Sequence, residues 1–384
     1  MDRKLKIIRA TTVPLSLDIF CNGLLKSLSD KYEVVAVSSP GPEMKAIAER
    51  EGVKTIEVPM VRHVSPGQDI VSLWRLICLF HKEKPVMVHS MTPKAGLLCM
   101  MAAWFTRVPV RVHTFTGLVF PTSKGLKRTV LKLTDTITCA CASHVISEGE
   151  GVKNDLLKNG ITRKTPRVLG YGNVRGIDIG FYDRRPEVMA LAKPIRKDDV
   201  FTFLFVGRIV GDKGVNELCH AIDILSGTLP VRLLLVGLFE EEIDPISPAS
   251  KAIIERNDAI QFVDFKSGDE LLAYYAASDC FVLPSYREGF PNTVIEAGAM
   301  GLPSIVTDIN GSREIIIQGE NGVIVPPRDA DALYKAMLDM VKDRNRRERM
   351  AGNARKMIVS RYEQGYVRKC LYDYYDEVLA PYMD

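Results

Sequence analysis

The sequence predicts an α/β protein of two domains, each a parallel sheet covered by helices on both faces. Three observations predict it. Short β-rich runs alternate with helical patterns, the signature of strands joined by crossover helices. The alternation pauses at a glycine-rich stretch near residue 175 and then restarts. At 384 residues the chain is too long for one ordinary core and fits two of roughly 180 residues each.

In the first half, residues 5–9, 33–38, 54–58, 86–90, 110–114, 144–147 and 167–169 read as strands. Residues 15–29, 43–51, 70–81, 94–105, 126–140 and 148–159 read as the helices between them. Right-handed crossovers place the strand-to-helix loops on one edge of the sheet, where ligands bind in open parallel sheets. The first loop, Ala10-Thr-Thr-Val-Pro-Leu-Ser16, has hydroxyls but no glycine-rich turn, so it is not a dinucleotide fingerprint. In the second, His89-Ser-Met-Thr-Pro-Lys-Ala-Gly96, Thr92 is a candidate N-cap and Pro93 fits the first helical turn. Lys94 at that turn faces either an anion or plain solvent. The third loop, Arg111-Val-His-Thr-Phe-Thr-Gly117, carries His113, which by itself reads as a hydrogen-bonded structural side chain.

Residues 123–134 interleave Lys124, Lys127, Arg128 and Lys132 with Leu126, Val130, Leu131 and Leu133. Such a segment either lies on an anionic membrane surface or packs its leucines on the sheet as an ordinary amphipathic helix. Residues 170–180 are rich in glycine and read as a hinge, and 184–199 as a polar connection. The expected domains are residues 1–175 and 176–363, with a C-terminal helix at about 364–384 returning to the first.

Residues 202–206, 231–236, 259–263, 280–283, 304–307 and 322–325 read as the strands of the second half, and 331–342, 344–359 and 364–379 as its closing helices. After the first of these strands, Val206-Gly-Arg-Ile-Val-Gly-Asp-Lys-Gly214 combines glycines, which let a backbone approach phosphates, with the charges of Arg208 and Lys213. It lacks the Walker frame. After the fourth, the run Cys280-Phe-Val-Leu-Pro284 leads into Ser285-Tyr-Arg-Glu-Gly-Phe-Pro-Asn-Thr-Val-Ile-Glu296. Pro291 fits a first helical turn, residues 293–300 continue as a helix, and Gly301 and Pro303 stop it. A loop thus carries Glu288 and a helix carries Glu296, roughly 8–12 Å apart. That exceeds the about 5–5.5 Å of carboxylates acting together on one glycosidic bond. It suits two hydroxyl-rich groups joined through phosphates, with the amides of Phe290, Asn292 and Thr293 facing the anion. On spacing alone, both could equally be ordinary surface carboxylates.

The setting Glu-Gly-Phe-Pro-Asn-Thr-Val-Ile-Glu-Ala, from Glu288, resembles the signature of glycosyltransferase family 4. The resemblance covers about residues 203–331 and, more loosely, the rest. It implies the GT-B fold, two Rossmann-like domains facing each other across a cleft, and transfer of a sugar from a nucleotide-sugar donor with anomeric configuration retained. It assigns catalytic roles to Glu288, holding donor-sugar hydroxyls, and to His113, near the reacting carbon. Glu296 would hold the ribose, Arg208 and Lys213 the diphosphate, with Gly289, Phe290, Asn292 and Thr293 completing the donor site. The loop at 264–268 would border the nucleobase, and residues 308–314 would be mainly structural. Asp178 matches an Asn-Gly-Val-Asp-like stretch. The loop at 10–16 departs from the glycine pair common in the family, so no role passes to it.

The segment from His89 to Gly96 is similar to one in family members that build bacterial surface polysaccharides on polyprenyl carriers. It implies a polyprenyl-diphosphate-linked acceptor, with Lys94, Lys124, Lys127 and Arg128 on the acceptor or membrane side. No metal or other cofactor is implied. The alternatives are a sugar-nucleotide epimerase of the same fold and a non-catalytic nucleotide-sugar-binding partner.

Composition narrows the setting. Residues 1–175 hold 26 Lys and Arg against 14 Asp and Glu, whereas the remainder holds 25 against 33. A basic first half suits an anionic partner. Nucleic acid is disfavoured, since no recognised module accompanies the charge. No signal-peptide core opens the sequence, and the longest apolar run, 95–105, is about half of a membrane span. Eight scattered cysteines without a Cys-x-x-Cys read as mostly buried, reduced thiols, and the expected location is cytoplasmic, peripheral to the inner membrane face if lipid is involved.

Overall fold

A computed structural model describes residues 4–63, 65–240 and 244–383. The chain divides into two compact units, Met1–Gly176 with Gly365–Asp384, and Ile177–Gln364.

The first unit runs β1 (Lys6–Ala10), α1 (Pro14–Cys21), α2 (Leu24–Ser29), β2 (Glu33–Ser38), α3 (Glu43–Glu51), β3 (Lys54–Glu57), α4 (Pro66–Glu83), β4 (Met87–Met91), α5 (Pro93–Phe105), β5 (Val110–Phe115), α6 (Gly125–Cys141), β6 (His144–Ser147) and α7 (Glu150–Lys158). Its strands form a parallel sheet in the order β3-β2-β1-β4-β5-β6. Alternate side chains on each strand feed two cores: Ile8, Val35 and Val88 meet α4 to α7, while Ile7, Val34 and Met87 meet α1 to α3. Burial on both faces accounts for the near-continuous apolar strands.

The second unit runs α8 (Pro186–Ala192), β7 (Phe201–Val206), α9 (Val215–Ser226), β8 (Val231–Val236), α10 (Pro248–Arg256), β9 (Ile260–Val263), α11 (Gly268–Ala276), β10 (Cys280–Leu283), α12 (Asn292–Ala299), β11 (Ser304–Thr307), α13 (Ser312–Ile315), β12 (Gly322–Val325), α14 (Ala330–Lys342) and α15 (Arg344–Tyr362). Its sheet is also parallel, ordered β12-β11-β10-β7-β8-β9. Each sheet reverses its winding once, between β1 and β4 and between β7 and β10. These switch points are where doubly wound sheets open a ligand crevice.

The last helix, α16 (Gln364–Leu379), packs in the first unit. Tyr375 and Leu379 lie in the α1–α3 core. The Tyr375 hydroxyl stands 2.7 Å from Arg9 Nη1 and 2.6 Å from His89 Nδ1, and Arg167 pairs with Glu377 at 2.6 Å. A wholly buried guanidinium is thereby given partners that α16 helps to supply.

Several sequence expectations are corrected. The single helix at 15–29 is two, because Gly23 turns left-handed (φ 69°) and the buried Glu51 carboxylate caps α2, accepting from the Gly23 and Lys26 amides at 2.8 and 3.1 Å. Residues 167–169 form no strand: Arg167 makes one isolated bridge with Ile146. The connection at 184–199 contains α8, whose Val188 and Ala192 join the core. Thr92 does not cap α5. Its hydroxyl meets Thr12 Oγ1 at 2.8 Å, and Thr12 Oγ1 accepts from the Ala95 amide at 3.1 Å. Pro291 precedes α12 instead of lying in its first turn. Among the cysteines, Cys78 is exposed.

Burial in α6 raises the Asp135 carboxyl from 3.8 to about 7. The folded state therefore holds this proton more tightly than the unfolded chain, and stability is lost as pH rises from 3.8 through about 7. Asp135→Asn, which cannot ionise, is expected to melt higher than the wild type at pH 8 and alike at pH 4. Melting curves at the two pH values check this, and an equal shift at both would refute it.

Candidate active site

The site in the second unit is built at its switch point. Leaving β7, the chain turns at Gly207, passes Arg208, and makes a one-turn 3-10 helix, Gly211–Lys213, ended by left-handed Gly214 (φ 70°). Leaving β10, it runs through Pro284 and Ser285 to the Glu288 loop and into α12. Strand order makes β7 and β10 neighbours, so the two loops meet. A Cβ on Gly214 would lie 2.0 Å from the Pro284 carbonyl oxygen, so only glycine permits this approach. The Tyr286 amide donates to the Asp212 carbonyl at 2.8 Å, and Arg287 pairs with Asp212 at 3.1 Å.

Within that frame the Lys213 ammonium donates to Glu288 Oε1, and the Ser285 hydroxyl donates to the same oxygen at 2.8 Å. The Glu288 and Lys213 side chains are only 14% and 16% exposed, enough to reach a ligand yet shielded enough for their charges to act strongly. Two further contacts hold the loop. The Thr307 hydroxyl donates to the Ser285 carbonyl, and Gly311 (φ 71°) packs on Gly289 so closely that a Cβ would sit 2.4 Å from its oxygen.

Glu296 projects from α12 and is 7% exposed. It accepts from the Tyr182 hydroxyl at 2.9 Å and the Tyr275 hydroxyl at 3.2 Å. Phe290 is buried against Tyr362, ring centroids 5.6 Å apart, so it contributes backbone and packing instead of a ligand-facing ring. Gly289, Asn292 and Thr293 are half-buried, the last two opening α12, whose N-terminal dipole favours an anion. Arg208 pairs with Glu240 at 2.7 Å near the surface. Asp178 accepts from the amides of Gly180 and Phe181 at 2.9 and 3.1 Å, a turn-forming role.

In the first unit, His113 lies near the end of β5 as a buried side chain packed on α5. It is 1% exposed, its Nδ1 lies 2.9 Å from Ser90 Oγ, and a Cβ on Gly96 would sit 2.3 Å from its ring. Burial lowers its pKa to about 3, so the ring is neutral. Lys94 pairs with Asp69 at 2.5 Å, so a carboxylate already answers its charge. Lys124, Lys127 and Arg128 are exposed at the start of α6. Sequence reasoning missed Ser285, Tyr182 and Tyr275. Ser285 adjoins the motif and had a visible signal, its place at a strand end. The tyrosines had none.

Two parallel-sheet units, one with a lysine–glutamate pair at its switch point and a second glutamate on the following helix, define a GT-B glycosyltransferase. Residues 190–357 match the family described as glycosyl transferases group 1, and residues 20–172 match the glycosyl transferase 4-like domain. The chain is 32% identical over 377 residues, 97% of either chain, to a capsular polysaccharide biosynthesis glycosyltransferase, CapM, of Staphylococcus aureus, and it belongs to this family of glycosyltransferases. It is 25% identical over 305 residues, 77% of this chain and 76% of the relative, to the UDP-Gal:alpha-D-GlcNAc-diphosphoundecaprenol alpha-1,3-galactosyltransferase of Escherichia coli. The crystal structure of Anabaena HepE in complex with UDP shares the fold, with a TM-score of 0.81, 17% identity, and coverage of 97% of this chain and 100% of that one.

Proposed function

We propose that the protein transfers a sugar, with retained anomeric configuration, from a nucleotide-sugar to a hydroxyl of a polyprenyl-diphosphate-linked sugar, in assembly of a capsular or other surface polysaccharide. The observation that carries the reading is the Lys213–Glu288 pair at the β7/β10 switch point. Glu288, oriented by Lys213 and Ser285, holds donor-sugar hydroxyls, and Glu296, steadied by two tyrosines, holds the ribose. Arg208 and Lys213, with the α12 amides, stabilise the leaving diphosphate, the group that gains charge in the transition state. These cations make a metal ion unnecessary to the step. The capsular relative and the diphosphoundecaprenol acceptor in the Escherichia coli relative's name support the polysaccharide and lipid-linked parts of the reading.

Transfer from a panel of UDP-, GDP- and ADP-sugars, with and without a polyprenyl-diphosphate sugar in detergent, tests it. Turnover of one donor, raised by the lipid, unaffected by chelator and giving a product of the donor's own anomeric configuration, is the expected result. Binding without turnover would instead make the protein a non-catalytic partner.

Arg208 leaves Glu240 to meet the donor in this scheme. Arg208→Ala is therefore expected to raise the donor KM on the order of 10-fold, the loss of one charge-assisted contact, while the melting temperature stays put. Steady-state kinetics check it, and an unchanged KM would remove Arg208 from the donor site.

A further inference from the structure

The buried guanidinium of Arg9 is the strongest feature that the transfer site does not use. Arg9 on β1 stands beside His89 on β4 in strand register, where the first sheet reverses its winding. Its side chain is 2% exposed and lies under α16. Nη1 donates to His89 Nδ1 at 2.6 Å and to the Tyr375 hydroxyl at 2.7 Å. Nη2 donates to Met91 Sδ at 3.0 Å and to Cys21 Sγ at 3.6 Å. The ring and the phenol bring no negative charge. His89 Nδ1 accepts, so its proton sits on Nε2, which donates to Thr114 Oγ1 at 2.7 Å. Burial, and then the charge of Arg9, hold this histidine well below its ordinary pKa, so the ring is neutral. Burial also raises the Tyr375 pKa, so the hydroxyl keeps its proton. Among the described residues, no carboxylate pairs with Arg9. A buried charge left without an opposite one is costly.

A second observation points to a ligand. Arg9 Nε is buried, and no protein group accepts from it. A cavity of about 20 Å³ adjoins, lined by Arg9, His89 and Thr114 on the strands, by Asn173, and by Val367 and Leu371 on α16. None of its lining residues is acidic. It has room for one particle of about the size of water. Thr114 Oγ1, accepting from His89, still has its own hydrogen to give. Asn173 Oδ1 accepts from the Arg175 and Gly176 amides at 3.0 and 2.7 Å, so it does not compete as an acceptor. Donors in want of an acceptor, beside a buried cation, select an anion; water would satisfy Nε and leave the charge. The small volume and the apolar side chains of α16 suit a weakly hydrated monatomic ion over phosphate.

We propose that this cavity binds a halide ion, held by Arg9 Nε and Thr114 Oγ1 beneath α16. The ion neutralises a charge that the fold buries, and it joins β1 and β5 to the helix that covers them. Its binding therefore stabilises the first unit. The site stands apart from sugar transfer and does not depend on that reading.

The test uses the full chain exchanged into sodium gluconate and titrated with sodium chloride or bromide at constant ionic strength. A saturable rise in melting temperature is expected, roughly 3–6 °C at ten times the dissociation constant. Arg9→Met removes the charge, while the Tyr375 hydroxyl keeps His89 Nδ1 as its partner at 2.6 Å, so the halide response should vanish. Crystals of the wild type grown in bromide should show an anomalous peak within hydrogen-bond distance of Arg9 Nε. No saturable response, an equal response in Arg9→Met, or water in place of bromide would overturn the proposal. A bromide peak without the melting response would overturn it too, as binding at crystal concentration only. Should Arg9→Met fail to fold, the wild-type titration and the anomalous map decide by themselves.

Discussion

Glu288→Gln is expected to lower kcat for sugar transfer on the order of 10²–10³-fold, the usual cost of removing one preorganised polar contact from a reacting centre. The substitution keeps shape and removes charge. The amide still accepts from Ser285, but Lys213 loses the carboxylate that anchors it, and the donor hydroxyls lose their charged acceptor. The side chain lies at a loop surface and outside the core, so the melting temperature should change little. Single-turnover measurement with the donor found by the panel, beside a thermal melt, checks both parts. Wild-type turnover in a folded Glu288→Gln protein would remove this residue from the chemistry and leave the paired loops as scaffolding.

Gly214→Ala should be the most damaging conservative change in the second unit. Left-handed backbone costs a residue with a Cβ about 1–2 kcal/mol, and here the added carbon also strikes the Pro284 carbonyl. The turn after β7 must then withdraw from the end of β10, parting Lys213 from Glu288. A loss on the order of 3 kcal/mol, or roughly 10 °C in a unit of this size, is expected together with a fall in kcat. Gly301→Ala is the matched control. Gly301 has the same kind of backbone (φ 79°), but nothing lies within 4 Å of the added carbon. It should cost only the strain and leave transfer intact. Equal losses in the two variants would show that loop contact at Gly214 is unimportant.

Most of the secondary structure was legible because its signals are local. β2, β8, β10, β11 and β12 occupy the residues their apolar runs mark, and α12 ends beside left-handed Gly301. The misreadings share one cause. Gly23 looks tolerable inside a helix until a distant carboxylate, Glu51, caps the break it makes. Residues 167–169 have strand composition, yet Arg167 alone bridges β6. Leu126 and Leu133 fit the helical period of a packed face, and only the core's extent shows that they are left out.

By itself the sequence determined the α/β class, the two rounds of strand–helix alternation, and the loops where charge and glycine gather, since periodicity and chain-stopping residues act over a few positions. Its motif also pointed to the glycosyltransferases. Only the tertiary structure decided which charges meet. Lys213 reaches Glu288 across 75 positions because β7 and β10 are neighbours, and Glu296 finds Tyr182 across 114. Strand order is a product of packing over the whole unit, and no local pattern records it.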